Sequence, residues 1–211
     1  NGVEYVWRWC PAGEFMMGGD GYKSHKVTLT QGFWMLETQV TQRMWESVMG
    51  SNPSIWKGAN LPVESVSWHD CVKFCEKISK LSGLNIQLPT EAQWEYACRA
   101  GTTGKYAGNL DSMAWYDSNS GGRTHEVKTK QPNAWGLYDM HGNVWERCSD
   151  WYGGYVESPT SDPKGPPSGS YRVLRGGSWN DYAEYCRSAY QSNCSPTYSY
   201  GSVGFRLLFV P

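Results

Sequence analysis

Two glycine-bearing phrases near the carboxyl end most constrain this chain, because they pin both ends of a segment with an unusual vocabulary. Arg172-Val173-Leu174-Arg175-Gly176-Gly177-Ser178-Trp179 opens it, and Val203-Gly204-Phe205-Arg206-Leu207-Leu208-Phe209-Val210 closes it. Between them, Tyr182, Tyr185, Tyr190, Tyr198 and Tyr200 are interleaved with Asn180, Asp181, Ser192, Asn193, Ser195, Ser199, Gly201 and Ser202. Tyrosine supplies stiff amphipathic contact area with few rotors to freeze, and Ser, Gly and Asn supply adaptable hydrogen bonding. That is the composition of a recognition surface. The alternative is a tyrosine-rich loop that packs on its own domain.

The remaining residues must build a core beneath this segment. The 211-residue chain has no linker that would divide it, so one domain over 1–211 is expected. Charged residues make up only 18%, against 12 Trp and 14 Tyr, so the core is aromatic and its ring N–H and O–H groups need partners. The 24 Gly point to long loops. A formal net charge of -1, with Lys and Arg scattered singly, excludes a polyanion-binding surface and therefore a nucleic-acid partner. No run of about eighteen apolar residues is present, so direct membrane insertion is not expected. The amino terminus lacks a secretory signal, although Asn1 is not an initiating residue and leaves room for a leader or anchor ahead of it. Seven cysteines leave at least one thiol unpaired, and Cys71 and Cys75 sit on one helical face as small core hydrophobes.

Residues 11–19, 26–30 and 33–40 alternate like paired strands separated by turns. Thr41 reads as the N-cap of a helix through Met44, Trp45 and Val48 that stops at Gly50. Ser67 caps a second helix whose stripe of Trp68, Cys71, Val72, Cys75, Ile78 and Leu81 faces the core before Gly83 ends it. Thr90 and Gln93 form a capping box for a third, with Trp94, Ala97 and Cys98 inward. From Gly101 to about residue 170 the chain reads as long aperiodic loops, which in a compact domain need inward side chains or an ion as anchors. Trp135, Trp145, Trp151 and Trp179 are expected to form a rigid floor under the carboxyl-terminal segment.

Leu88-Pro89-Thr90-Glu91-Ala92-Gln93-Trp94-Glu95-Tyr96-Ala97, Gly136-Leu137-Tyr138-Asp139-Met140-His141-Gly142-Asn143-Val144-Trp145-Glu146, the Arg172 to Trp179 phrase and Gly204-Phe205-Arg206 together resemble the formylglycine-generating enzyme, or sulfatase-modifying factor, family. Four ordered phrases across nearly the whole chain make a specific signal. The resemblance implies an α+β, C-type-lectin-like fold with two or three helices, a small twisted antiparallel sheet and many long loops. Enzymes of this family hold copper between two cysteines after the Gly-Gly-Ser phrase, chemistry that requires soft thiolates. Here the first position is Asp181, and Cys186 fills either the second position or a structural one; Cys194 is the one replacement thiolate on offer. The ergothioneine-synthesis relatives look to a histidine-rich iron site, whereas His25, His69, His125 and His141 are far apart in the sequence.

A second branch of the family, the variable proteins of diversity-generating retroelements, resembles the segment better. Their reverse transcriptase errs at template adenines, and an AAC codon altered at its adenines yields Asn, Ser, Asp, Tyr, Thr, Gly or Cys. Asn180, Asp181, Tyr182, Tyr185, Tyr190, Ser192, Asn193, Cys194, Ser195, Tyr198, Ser199, Tyr200, Gly201 and Ser202 all fit that set, and Glu184, Arg187, Gln191 and Pro196 read as scaffold. The function implied is display of a variable binding face toward a protein or other macromolecular ligand on a cell or phage-host surface. The protein would act as a monomer at a cell surface or virion and would need no cofactor. The alternatives are a formylglycine-generating oxidase and a carbohydrate-binding module; the Glu-Pro-Asn triplet by which many lectins chelate sugar hydroxyls is absent. Asp139, Gly142, Val144 and Glu146 repeat the spacing by which relatives hold a structural calcium through two side-chain and two backbone oxygens. The other reading of Asp139 and Glu146 is that they bond neighbouring amides in turns.

Overall fold

The computed structural model describes residues 2–155 and 157–211. The chain opens with β1 (Trp7–Cys10), the antiparallel pair β2 (Gly13–Met17) and β3 (His25–Leu29), and β4 (Phe33–Leu36). Helix α1 (Gln42–Met49), helix α2 (Trp68–Ser82), the two-residue strand β5 (Ile86–Gln87) and helix α3 (Glu91–Arg99) follow. A single helical turn, α4 (Leu110–Met113), interrupts the long loop beyond. The carboxyl-terminal half contributes β6 (Trp145–Trp151), β7 (Thr160–Ser161), β8 (Arg172–Arg175), β9 (Gln191–Cys194), β10 (Val203–Phe205) and β11 (Leu208–Phe209).

The helix ends form where their capping chemistry stands in the sequence. The Thr41 hydroxyl accepts from Met44 N–H at 3.2 Å, and Gly50 closes α1 in the left-handed region at φ 79°. Thr90 and Gln93 exchange bonds of 3.0 and 3.1 Å, satisfying two orphan amides of α3. Ser67 pairs in the same way with Asp70. Helix α2 buries Cys71, Phe74, Cys75 and Ile78, but Leu81 is 70% exposed, contrary to the stripe expected of it. Residues 80–85 are all exposed, so the last turn projects past the sheet that covers the earlier ones.

One small antiparallel sheet was expected, and the described residues form three. They run β1-β4-β11-β5, β10-β6-β8-β9 and β2-β3-β7. Two pairings, β10 with β6 and β3 with β7, are parallel, an arrangement that requires long crossovers and explains why the glycine-rich loops are long. Strand β11 places Leu208 opposite Met35, so the end of the chain closes on the first sheet.

The core lies in two main clusters. One joins the first strands to Trp94, Ala97 and Cys98 of α3. The other lies between α1, α2 and the last strands, where the Trp45 ring stacks on Phe74 with centroids 5.4 Å apart. All seven cysteines are buried and unpaired, as expected of small core hydrophobes. A third, smaller cluster of Trp145, Leu174, Cys194 and Val203 lies under residues 180–202. Three fully buried arginines, Arg147, Arg175 and Arg206, are unusual for a core and bear on what those residues do. No described helix is long and apolar enough to cross a membrane.

Candidate recognition surface

The segment 180–202 contains only one four-residue strand and one short 3-10 turn, yet its path is fixed by donors that lie outside it. Arg175, the last residue of β8, donates from Nη2 to Ser188 O at 2.7 Å and from Nη1 to Ala189 O at 3.0 Å. Arg147 of β6 reaches Tyr198 O at 2.6 Å. The Trp179 indole N–H donates to Gly201 O at 3.1 Å and the Tyr106 hydroxyl to Ala183 O at 2.9 Å. Main-chain amides of Asp117, Trp68, Ser65 and Trp145 hold the carbonyls of Asp181, Pro196, Tyr200 and Ser202 at 2.8–3.0 Å. In every case the acceptor is a main-chain carbonyl. Such a bond does not depend on the side chain the accepting residue carries, so these anchors survive exchange of side chains, whereas Asp181, Arg187 and Gln191 also anchor through their own side chains, to Ser178, Asp20 and Glu91.

Arg175 is itself held. It pairs with the buried carboxylate of Glu95, lies 3.5 Å from Glu91 Oε1 and faces the Trp94 ring at 5.2 Å. Two glycines make the close approaches possible. At Gly177, φ is +73° and a Cβ would stand 2.6 Å from the Cys186 sulfur; at Gly204 it would stand 2.4 Å from Val63 O. The phrases that bracket the segment therefore let its backbone lie against the core.

The side chains divide by exposure. Tyr182, Tyr198 and Tyr200 are 63%, 60% and 51% exposed, and Asn180, Asn193 and Ser199 also face solvent. Ser192, Ser195 and Ser202 are half-buried at the margin. Tyr185 and Tyr190 are half-buried and pack edge to face at 4.9 Å over the Trp145 cluster. Gly201 lies against Ile55 and Trp56. Cys194 is buried: β9 packs it with Trp145 and Leu174, at the floor of the concavity formed by Tyr198 and Tyr200. Asp181 turns its carboxylate inward onto the Ser178 hydroxyl, and burial raises its pKa.

The sequence reading missed part of the face. Tyr171, outside the diversified vocabulary, is 51% exposed and lines a concavity of about 300 Å³ with Trp145, Asn193, Ser195, Tyr198 and Tyr200. Ile55 and Trp56, far away in the chain, flank Gly201, and Trp56 packs on Trp179 at 4.9 Å. An unpaired aromatic abutting the Arg172 phrase was the one available signal for Tyr171. The four-tryptophan floor also needs revision. Trp145 and Trp179 lie beneath the segment, whereas Trp135 packs on Tyr96 in the first core cluster. Trp151 instead stacks at 3.4 Å on the Arg172 guanidinium, whose other face meets Trp68 at 3.9 Å.

The redox position is altered in its chemistry. Asp181 places a hard carboxylate at the position that the family resemblance assigns to the first copper-binding cysteine, and the buried Cys186 thiol is pushed well above its usual pKa by desolvation and by that carboxylate, which keeps it protonated. Cys98, 3.8 Å from the His141 ring, is likewise pushed up to about 12 by burial. Among the described residues no cluster of three or more His, Cys, Asp or Glu could hold a metal ion.

His141 has a structural use. Its ring accepts at Nε2 from Ala107 N–H at 3.1 Å and donates from Nδ1 to Cys186 O at 2.7 Å, which defines the neutral tautomer and anchors one more carbonyl of the segment. Burial lowers its pKa from 6.5 to about 4. The unfolded chain takes up a proton below pH 6.5 that the folded chain refuses until about pH 4, so the stability held by the neutral ring is full above 6.5 and is lost as pH falls toward 4. The His141 imidazole is expected to show no titration by NMR between pH 8 and pH 5; a midpoint near 6.5 would mean that the ring is solvated and anchors nothing.

The four calcium-spaced residues do converge, but on a different partner. Gln39, fully buried between β4 and α1, places its amide nitrogen 3.2 Å from Asp139 O, 3.3 Å from Gly142 O, 2.9 Å from Val144 O and 3.1 Å from Glu146 Oε1. The Asp139 carboxylate points elsewhere and accepts from Lys128 N–H at 2.9 Å, so Asp139 offers its carbonyl and not its side chain.

Three antiparallel-to-mixed sheets, three capped helices and a long anchored loop define a C-type-lectin-like α+β domain with an aromatic surface on its carboxyl-terminal segment. The chain belongs to the sulfatase-modifying factor family: residues 7–210 match the family described as "Sulfatase-modifying factor enzyme 1-like domain". It is 38% identical over 190 residues to the formylglycine-generating enzyme of Streptomyces coelicolor, covering 77% of this chain and 57% of that protein. It is 35% identical over 204 residues to the Mus musculus enzyme of the same name, covering 86% of this chain and 52% of that one. The chain thus spans little more than half the length of these relatives. Among solved structures it is similar to Treponema denticola variable protein 1, with a TM-score of 0.95 and 36% identity over 99% of this chain and 96% of that one.

Proposed function

We propose that this protein is a ligand-binding display scaffold of a diversity-generating retroelement. The observation that carries the reading is the anchoring of residues 180–202 through their carbonyls by outside donors while Tyr182, Tyr198 and Tyr200 stand in solvent. A backbone fixed before binding leaves mainly side chains to be frozen by the ligand, at about 0.5–1.5 kcal/mol each, so more of the contact energy appears as affinity. Likeness to Treponema denticola variable protein 1 supports the same reading. The partner is a macromolecular surface, because an open aromatic face with a shallow central concavity suits a protruding side chain better than an enclosed small molecule. The site of action is a cell or virion surface, where such a ligand is met. In the gene, an adenine-rich near-copy of the segment encoding residues 180–202 is expected beside a reverse transcriptase gene. A genome without either would remove the retroelement from the account.

A second reading, a copper-dependent formylglycine-generating oxidase, draws on the identity to the Streptomyces coelicolor enzyme. Asp181 weighs against it, since a carboxylate is a poor ligand for copper(I). Incubated with copper and a cysteine-containing sulfatase peptide, the protein is expected to consume no oxygen beyond the peptide-free control. Copper-dependent turnover would replace the display reading by the oxidase.

A further inference from the structure

Four oxygens that face one buried point repel one another unless a cation or a donor stands among them. The carbonyls of Asp139, Gly142 and Val144 and the Glu146 carboxylate form such a cradle, and its centre holds the Gln39 amide nitrogen at 2.9–3.3 Å from all four. We infer that Gln39 does here the work of a structural cation, cross-linking the loop 139–146 to the β4–α1 turn without an ion. The inference is independent of the display reading.

Donor geometry supports the amide over the ion, whereas net charge does not separate them. Glu146 is neutralised by Arg206, whose Nη2 lies 2.9 Å from Oε1, and its other oxygen accepts the Trp94 indole N–H at 2.7 Å. With Asp139 ionised, the three groups sum to one negative charge, and a divalent cation would leave a buried excess of one positive charge. A neutral NH₂ leaves the one negative charge, an imbalance of the same size. Its two protons shared over four acceptors make three-centre bonds, and the reversed amide would press Oε1 against four oxygens with no proton between. The choice has a visible consequence, because Oε1 is left buried with no partner. The amide also has a positional effect: the loop it fixes carries His141 and Trp145, which anchor Cys186 O and Ser202 O of the recognition segment.

Melting the purified chain in excess EGTA and in millimolar calcium chloride tests this, with Gln39→Glu and Gln39→Leu alongside the native protein. The native midpoint is expected to agree in the two buffers within about 1 °C. Gln39→Glu adds a carboxylate of the same shape and brings the site to two negative charges. It is expected to melt well below native in EGTA and to recover by about 5–10 °C when calcium exceeds its Kd about a hundredfold. Gln39→Leu removes donor and ligand alike and is expected to melt low in both buffers. If the glutamate variant folds only when refolded in calcium, that is the same result in stronger form. The inference is overturned by a native midpoint that falls in EGTA, with an ion retained in native mass spectrometry, by a glutamate variant indifferent to calcium, or by a calcium response in the leucine variant.

Discussion

Replacing Tyr182, Tyr198 and Tyr200 together by alanine is expected to weaken binding by about a thousandfold or more on any target the native protein retains, while the melting midpoint moves by less than about 3 °C. The three residues are more than half exposed, so less than half of their area leaves water on folding, and surface truncations of this kind change stability by about 0.5 kcal/mol or less. On binding, Tyr198 and Tyr200 would be desolvated around the concavity that Tyr171 and Trp145 complete. Aromatic anchors typically contribute about 2 kcal/mol or more each when truncated. Interferometry on immobilised target and calorimetric melting separate the two effects. A fall in midpoint above about 6 °C, with binding lost in proportion to unfolding, would mean that the tyrosines pack the domain and do not display it.

Arg175→Met acts in the opposite sense. The substitution keeps the apolar volume but removes the donors to Ser188 O and Ala189 O and one of the two arginines that pair with Glu95, which keeps Arg99 and the Gly18 amide. Removing one partner of a buried ion pair typically destabilises by about 3–5 kcal/mol, equivalent to about 6–20 °C in a chain of this size. A loss below about 1 kcal/mol for Arg175→Met would show that the segment does not depend on this hub.

Local chemistry made much of the fold legible. Thr41, Ser67, Thr90 and the glycines after α1 and α2 mark helix ends because capping depends on neighbours in sequence, and the structure follows them. Strand β6 stayed hidden for the converse reason. Its residues Trp145 to Asp150 are buried on both faces or nearly so, polar ones included, which abolishes alternation; Glu146 and Arg147 bond to partners from distant elements. The same limit applies to the site. The residue types of the segment announced a contact surface, but which side chains point outward depends on β9 and on Trp145 beneath it, so Tyr171 was overlooked. The arginine anchors were invisible because their acceptors are carbonyls, which carry no sequence signature. Gln39 was invisible because it lies 100 residues from Asp139.

Amide hydrogen exchange across residues 180–203, compared between the native protein and the triple-alanine variant, reads most directly whether main-chain bonds to the rest of the domain fix this backbone. Slow exchange at Ser188, whose amide bonds Lys105 O, and at Val203, on Tyr200 O, is expected to be the same in both proteins. Exchange in the variant rising across the whole segment to the rate of an open loop would show that the exchanged side chains had been holding the platform that they are supposed only to decorate.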